Sequence, residues 1–113
     1  MPTPSDWPIN YEQEILQARH ARSIGNKGMA RVCARRAAGI VIGEYLQRKG
    51  LSRLGPSAYQ RLKLLEATPN LDARVKQVAG HFLLSVDKEH KMPDQIDLLS
   101  EAQWLAHELL GME

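Results

Sequence analysis

The sequence predicts an all-α protein built as an up-and-down bundle of four to five helices. Three observations support this fold class. No segment alternates apolar and polar residues with the β-branched enrichment of a half-buried strand. Glycine and proline residues divide the chain into segments of helical length, and apolar residues recur within them at helical spacing. The short links between these segments favour neighbouring helices that run up and down.

The size of the chain fits a single domain. It has 113 residues, of which 43% are hydrophobic and 25% are charged, as expected for a globular protein with one modest core. Three prolines space the start of the chain, so we predict that residues 1 to 9 are extended. Residues 10 to 113 are predicted to form one helical-bundle domain.

The first two helices have recognisable ends. The first is predicted over residues 10 to 25, with Asn10 as the cap and Gln13 at the reciprocal position of a capping box. The second and longest is predicted over residues 27 to 49, and Gly50 suits the left-handed conformation that follows a helix. Its many small residues make it narrow, so we expect it to be the central helix.

Three further helices follow. The third is predicted over residues 56 to 68, with Pro56 in its first turn, and the fourth over residues 71 to 86. The fifth is predicted from Asp94 or Asp97 to residue 110. Its apolar residues form a stripe at helical spacing: Leu98, Leu99, Ala102, Leu105, Ala106, Leu109 and Leu110.

The net charge of +2 conceals an asymmetry between the two parts of the chain. Residues 1 to 63 contain 11 Lys and Arg against 4 Asp and Glu, which is net +7. Residues 64 to 113 contain 4 Lys and Arg against 9 Asp and Glu, which is net −5. This division suits an acidic ligand such as a nucleic acid, or self-association of the two parts across a dimer.

Several function classes are disfavoured. The longest small or apolar run, residues 37 to 43, is far short of the roughly 20 residues of a membrane span, and no secretory signal pattern opens the chain. We therefore expect no membrane association and a cytoplasmic location. Cys33 has no disulfide partner and is predicted to be a small buried residue. The four histidines lack metal-ligand spacing and no glycine-rich phosphate loop is present, so we predict no metal and no cofactor.

Arg74 and His81 are the catalytic candidates. At 100° per residue they fall together with Ser85 on one edge of the fourth helix, beside its apolar stripe. Their Cα atoms would lie roughly 10 Å apart, close enough for both side chains to reach one phosphodiester. His81 could take the proton of a ribose 2′-hydroxyl or protonate the leaving 5′-oxygen, while Arg74 holds the phosphate. The alternative is that the pair is only the exposed rim of a packed helix.

A basic row on the second helix is the candidate nucleic-acid-binding surface. Lys27, Arg31 and Arg35 follow one another at intervals of four residues, with Arg36 adjacent, so a phosphate backbone could follow them. No aromatic residues are interleaved for base stacking. A solvated helix face is the alternative.

Three segments resemble the HEPN family (higher eukaryote and prokaryote nucleotide-binding). "ARVCARRAAGIVIGEYLQRKG" is similar to the long second helix of that family, and "DQIDLLSEAQWLAHELLG" to its closing acidic, leucine-rich helix. Between them, "RVKQVAGH" fits the family signature of an arginine, four to six residues and a histidine. The resemblance implies a four- or five-helix bundle, usually a homodimer, whose paired Arg74 and His81 motifs face one another in a cleft. It also implies nucleotide or RNA binding, with ribonuclease toxins and a nucleotidyltransferase-like protein partner among the possibilities.

Two residues depart from the pattern of active members. Val75 follows the arginine where many members have a polar residue, and Gly80 loosens the helix just before the histidine. A second hypothesis is therefore kept, a non-enzymatic protein-interaction or dimerisation module. In that case the small-residue helix and Trp104 would serve docking, although Trp104 could equally pack under the proline-rich start of the chain.

Overall fold

The structure confirms the all-α fold class. It is a computed structural model that describes residues 6–50, 57–84 and 96–111. The described residues form five helices and no strand. The helices are α1 (Trp7–Ser23), α2 (Lys27–Arg48), α3 (Ala58–Glu66), α4 (Ala73–Leu84) and α5 (Leu98–Leu110).

The start of α1 differs from the sequence prediction. The helix begins at Trp7, and Asp6 before it also has helical dihedral angles, so the predicted extended conformation is wrong for residues 6 to 9. Residues 1 to 5 lie outside the described residues. Proline is accepted in the first turn because its missing N–H needs no partner there, and Pro8 occupies that turn. The amide of Asn10 already donates to the carbonyl of Asp6 at 3.1 Å, so Asn10 lies inside the helix and is not its cap.

Local capping determines where α2 and α3 begin. The side chain of Asn26 accepts a hydrogen bond from the Met29 amide at 3.0 Å, so α2 begins at Lys27 as predicted. Helix α3 begins after Ser57, which forms a capping box with Gln60. Pro56, expected in its first turn, lies outside the described residues.

Helices α4 and α5 are close to their predicted spans. Helix α4 begins at Ala73, two residues later than predicted, and its predicted last two residues, Ser85 and Val86, lie outside the described ranges. Asp97 caps α5 by accepting from the amide of Ser100 at 3.2 Å, which decides between the two predicted starts. Gly111 ends the helix with φ of 70°.

Helix α2 is the central helix, as its small residues predicted. It packs against α1, α3 and α5, while α4 packs against α3 and α5. A Cβ atom at Gly39 would lie only 2.8 Å from the Cβ of Ala58, so the glycine lets α3 approach the α2 backbone. The guanidinium of Arg61 occupies the space beside Gly43 and donates to the carbonyl of Gly39 at 3.1 Å. This packing places α4 at the surface, against α3 on one side and α5 on the other.

Candidate active site

Helix α4 presents the edge on which the two catalytic candidates lie. The apolar stripe that the sequence predicted is buried against the core, and it comprises Val75, Val78, Ala79 and Phe82. Arg74 and His81 lie beside this stripe, and each side chain contacts a residue of α5. Ser85, predicted on the same edge, lies outside the described residues. The structure therefore directs both candidates to the border between α4 and α5.

His81 is held by a carboxylate. Its Nδ1 lies 2.8 Å from Oε1 and 2.9 Å from Oε2 of Glu101. An ionised carboxylate only accepts hydrogen bonds, so Nδ1 carries the proton and donates it. The side chains of His81 and Glu101 are 24% and 22% exposed, so the pair is largely shielded but still reachable from solvent. Within the described residues Nε2 has no hydrogen-bond partner.

The guanidinium of Arg74 lies over an indole ring. Its Cζ lies 4.9 Å from the centroid of the Trp104 ring, within the range of a cation–π contact. Trp104 is partly buried against the core, whereas Arg74 is exposed. The guanidinium has no hydrogen-bond acceptor among the described residues, so its N–H groups remain directed to solvent. Trp104 is thus covered by a residue of its own chain. The other prediction for Trp104, packing under the proline-rich start of the chain, involves residues 1 to 5, which lie outside the described residues.

The two contacts lie along the same border between α4 and α5. Arg74 and His81 are separated by about 10 Å along α4, or two turns. Their partners Trp104 and Glu101 are separated by one turn of α5, which is about 4.5 Å along its axis. Because each side chain contacts its α5 partner, a basic group and an imidazole lie along this one border. We call these four residues the α4–α5 cluster.

The basic row predicted on α2 is present at the surface. Lys27, Arg31 and Arg36 are exposed, and Arg35 is half-buried. Burial lowers the pKa of Arg35, and the positive charges of Arg36 and Arg31 lower it further. Like charges that influence one another in this way form a concentrated positive region, which suits an anionic ligand. The row lies on α2 and is separate from the α4–α5 cluster.

One arginine of α1 has a structural role. Arg22 forms an ion pair with Asp97, with Nη1 3.1 Å from Oδ2, and so joins the end of α1 to the cap of α5. Its charge is therefore compensated within the fold.

Cys33 is buried, as predicted. Its side chain is inaccessible to solvent between α1 and α2, and its Sγ lies 3.8 Å from Oε1 of Gln17. Burial raises the pKa of the Cys33 thiol, and the negative charge of Glu14 raises it further. The thiol is held in its neutral form, which is a poor nucleophile.

Across residues 6–50, 57–84 and 96–111, no three His, Cys, Asp or Glu side chains are grouped so as to hold a metal ion. No helix in these ranges is long and apolar enough to cross a membrane. Comparison of the chain with protein-family models, with curated proteins and with solved structures gives no match.

Sequence reasoning did not identify Glu101 as a partner of His81, nor Trp104 as a partner of Arg74. The two α5 residues are three positions apart and so lie on one side of their helix. That spacing alone was not informative, because many pairs on an amphipathic helix share it. Only the pairing of α4 with α5 connects these residues to Arg74 and His81.

Proposed function

We propose that this protein binds RNA at the α4–α5 cluster and cleaves it without a metal ion. The observation that carries the proposal is the contact between His81 and Glu101, because it orients an imidazole on the same α4–α5 border as an exposed arginine. A carboxylate that holds one ring nitrogen leaves the other to act as a general acid or base. The HEPN resemblance, in which an arginine and a histidine of this spacing form a ribonuclease site, points to the same two residues.

The proposed reaction is an internal transfer of the phosphodiester. Nε2 of His81 accepts the proton of the ribose 2′-hydroxyl, and the 2′-oxygen forms a bond to phosphorus. The bond from phosphorus to the 5′-oxygen breaks, and that oxygen takes a proton from water or from the protonated His81. The products are a 2′,3′-cyclic phosphate and a 5′-hydroxyl. Only RNA supplies the internal nucleophile, so the equivalent DNA is not cleaved.

Arg74 and Glu101 support this reaction electrostatically. The N–H groups of Arg74 donate to a non-bridging phosphate oxygen and offset the charge that grows as the 2′-oxygen attacks. Glu101 accepts from Nδ1 and stabilises the imidazolium that forms when Nε2 takes the proton. Glu101 is therefore a positioning residue, because it acts through His81 and not on the substrate.

The basic row on α2 would extend the RNA-binding surface. Lys27, Arg31, Arg35 and Arg36 would contact the phosphate backbone and supply affinity that depends on salt but not on base sequence. A cytoplasmic location would give the protein access to RNA. A homodimer and a nucleotidyltransferase-like partner are further proposals that rest on the resemblance.

The test is cleavage of a mixed-sequence RNA by the purified protein in EDTA. We expect the wild type to produce 2′,3′-cyclic phosphate ends and His81→Ala to lose this activity. His20→Ala is the matched control, because it removes an exposed histidine of α1 that is not part of the cluster. Circular dichroism establishes that each variant is folded. Absence of cleavage by the wild type, or equal cleavage by His81→Ala, would overturn the proposed reaction.

One observation favours the alternative, a protein-interaction module. Ile9 and Leu16 are 62% and 59% exposed, and seven residues apart they lie on the same face of α1. The sequence suggested two docking features, the small residues of α2 and Trp104. Other parts of the same chain cover both of them, because α3 packs on the small residues of α2 and Arg74 lies over Trp104. A contact with a second copy or another protein would therefore use α1. Light scattering of the wild type and of Leu16→Glu tests this, because only a dimer through α1 would dissociate in the variant.

A further inference from the structure

We propose that the stacked pair of Arg74 and Trp104 is a platform for one unpaired nucleobase, so that the α4–α5 cluster recognises single-stranded RNA and not duplex RNA. This inference rests on the proposed RNA binding at the cluster but not on cleavage. It adds base recognition to a residue that the proposed reaction uses only as a phosphate ligand.

The arrangement of the two side chains leaves one stacking surface open. Trp104 is partly buried, and the guanidinium of Arg74 covers its ring at 4.9 Å. Arg74 itself is exposed. The guanidinium is planar and weakly hydrated on its faces, so it can stack on two flat groups at once. When the guanidinium lies parallel to the indole, one face meets the ring and a nucleobase can occupy the opposite face.

The guanidinium can form hydrogen bonds at its edge while a flat group stacks on its face. The N–H groups of Arg74 lie in the guanidinium plane, and they have no acceptor among the described residues. A phosphate oxygen can bind at that edge while a base stacks on the open face. One side chain can therefore contact both the base and the phosphate of the strand on which His81 acts.

This arrangement selects unpaired nucleotides. In a duplex both faces of each base are covered by the neighbouring base pairs, and the base edges lie in grooves. A base that stacks on Arg74 must be free of its neighbour on one side, as in a loop, a bulge or a single strand. The α2 row recognises only phosphates and does not make this distinction.

The same pair could instead serve only to hold α4 against α5. Substitution of Arg74 by lysine separates the two roles. Lysine keeps the positive charge and can still form a cation–π contact with Trp104, but it has no planar face for a base. A purely structural pair would therefore tolerate Arg74→Lys, whereas a stacking platform would not.

The experiment uses an RNA analogue that cannot be cleaved. A mixed-sequence 2′-O-methyl oligonucleotide containing 2-aminopurine is presented as a single strand and annealed to its complement. We expect the wild type to bind the single strand at least about tenfold more tightly than the duplex and to quench its 2-aminopurine fluorescence. Arg74→Lys should lose about tenfold in affinity for the single strand, together with the quenching.

Lys76→Ala is the matched control for charge. Lys76 is an exposed residue of α4 outside the cluster, and its removal should change single-strand affinity by less than about twofold, as for one screened surface charge. Circular dichroism and thermal unfolding establish that Arg74→Lys is folded.

The outcomes separate this inference from the proposed reaction. Equal affinity of Arg74→Lys and the wild type for the single strand, or equal affinity of the wild type for the two forms, would overturn the platform even if RNA is cleaved. Loss of binding and of quenching in Arg74→Lys, without cleavage of RNA by the wild type, would support the platform and overturn the reaction. Absence of binding to either form would overturn both.

Discussion

Nδ1 of His81 lies within 2.9 Å of both carboxylate oxygens of Glu101, and this contact joins the surface helix α4 to α5. It has a structural and a chemical consequence. The hydrogen bond supports the packing of α4, which is buried only along its apolar stripe. It also determines which nitrogen of the imidazole faces solvent, and that choice sets the proton chemistry that His81 can perform.

Glu101→Gln is expected to lower the rate of RNA cleavage. The amide oxygen can still accept from Nδ1, but it carries no charge to stabilise the imidazolium, so kcat should fall by about tenfold or more while KM changes little. The amide can also turn its NH₂ group to Nδ1 and reverse the tautomer. Single-turnover kinetics and ¹⁵N spectra of the imidazole measure these two effects.

Glu101→Asp provides the complementary variant, because it keeps the charge on a shorter side chain. It should recover part of the lost rate. If Glu101→Gln cleaves RNA with the kcat of the wild type, Glu101 has no positioning role.

Cys33 is expected to resist thiol reagents in the folded protein. The side chain is inaccessible to the reagent. Burial also raises the pKa of the thiol, which disfavours the reactive thiolate. Reaction with 5,5′-dithiobis(2-nitrobenzoate) at pH 8 should be complete in denaturant and slow in buffer. Rapid native labelling would contradict the burial of Cys33.

The same raised pKa predicts a pH dependence of stability. The folded state favours the neutral thiol, so this contribution is present below pH 9.0, the ordinary pKa, and is lost as pH rises through the higher folded value. Cys33→Ala should therefore show a shallower fall in the free energy of unfolding between pH 8 and 10, measured by urea denaturation.

Gly39→Ala is expected to destabilise the protein by about 1 to 3 kcal/mol. The new methyl group would lie 2.8 Å from the Cβ and 3.0 Å from the Cα of Ala58, so the α3 backbone would have to move. Gly80→Ala is the control, because nothing lies within 4 Å of a Cβ at that position. The better helix propensity of alanine should then stabilise α4 by up to about 1 kcal/mol. Thermal unfolding should show opposite shifts of Tm for the two variants.

Asp97 is expected to contribute to stability through its capping role. Burial opposes the ionisation of Asp97, but hydrogen bonds from Ser100 and the interaction with Arg22 outweigh it, so its pKa is lowered. Asp97→Ala removes both the cap and the ion pair and should cost about 1 kcal/mol. Asp97→Asn keeps an acceptor for the Ser100 amide and should cost less, because the exposed ion pair contributes little.

The lowered pKa of Asp97 also determines how its contribution to stability changes with pH. The stabilising contribution of the carboxylate is present above its ordinary pKa of 3.8 and is lost as pH falls through the lower folded value. Urea denaturation between pH 2 and 6 should show a smaller acid-dependent loss for Asp97→Asn than for the wild type. If the stability of the two proteins falls in parallel as the pH is lowered, the lowered pKa of Asp97 is contradicted.

The sequence by itself determined the helices and the edge of α4 on which Arg74 and His81 lie. Helix ends depend on residues three or four positions apart, as at Asn26 and Ser57, and the buried stripe of α4 follows from its periodicity. The largest difference from the predicted helix starts was at α1. A proline pattern is compatible with both extended chain and a first helical turn, and the structure places Pro8 in the turn.

Only the tertiary structure decided what Arg74 and His81 contact. Glu101 and Trp104 lie 20 or more positions away along the chain, and they reach α4 because α4 and α5 bury their apolar stripes against the same core. Many pairings of amphipathic helices would bury similar apolar area, so periodicity cannot choose among them. The complementary packing of all five helices makes that choice, and it creates the α4–α5 cluster.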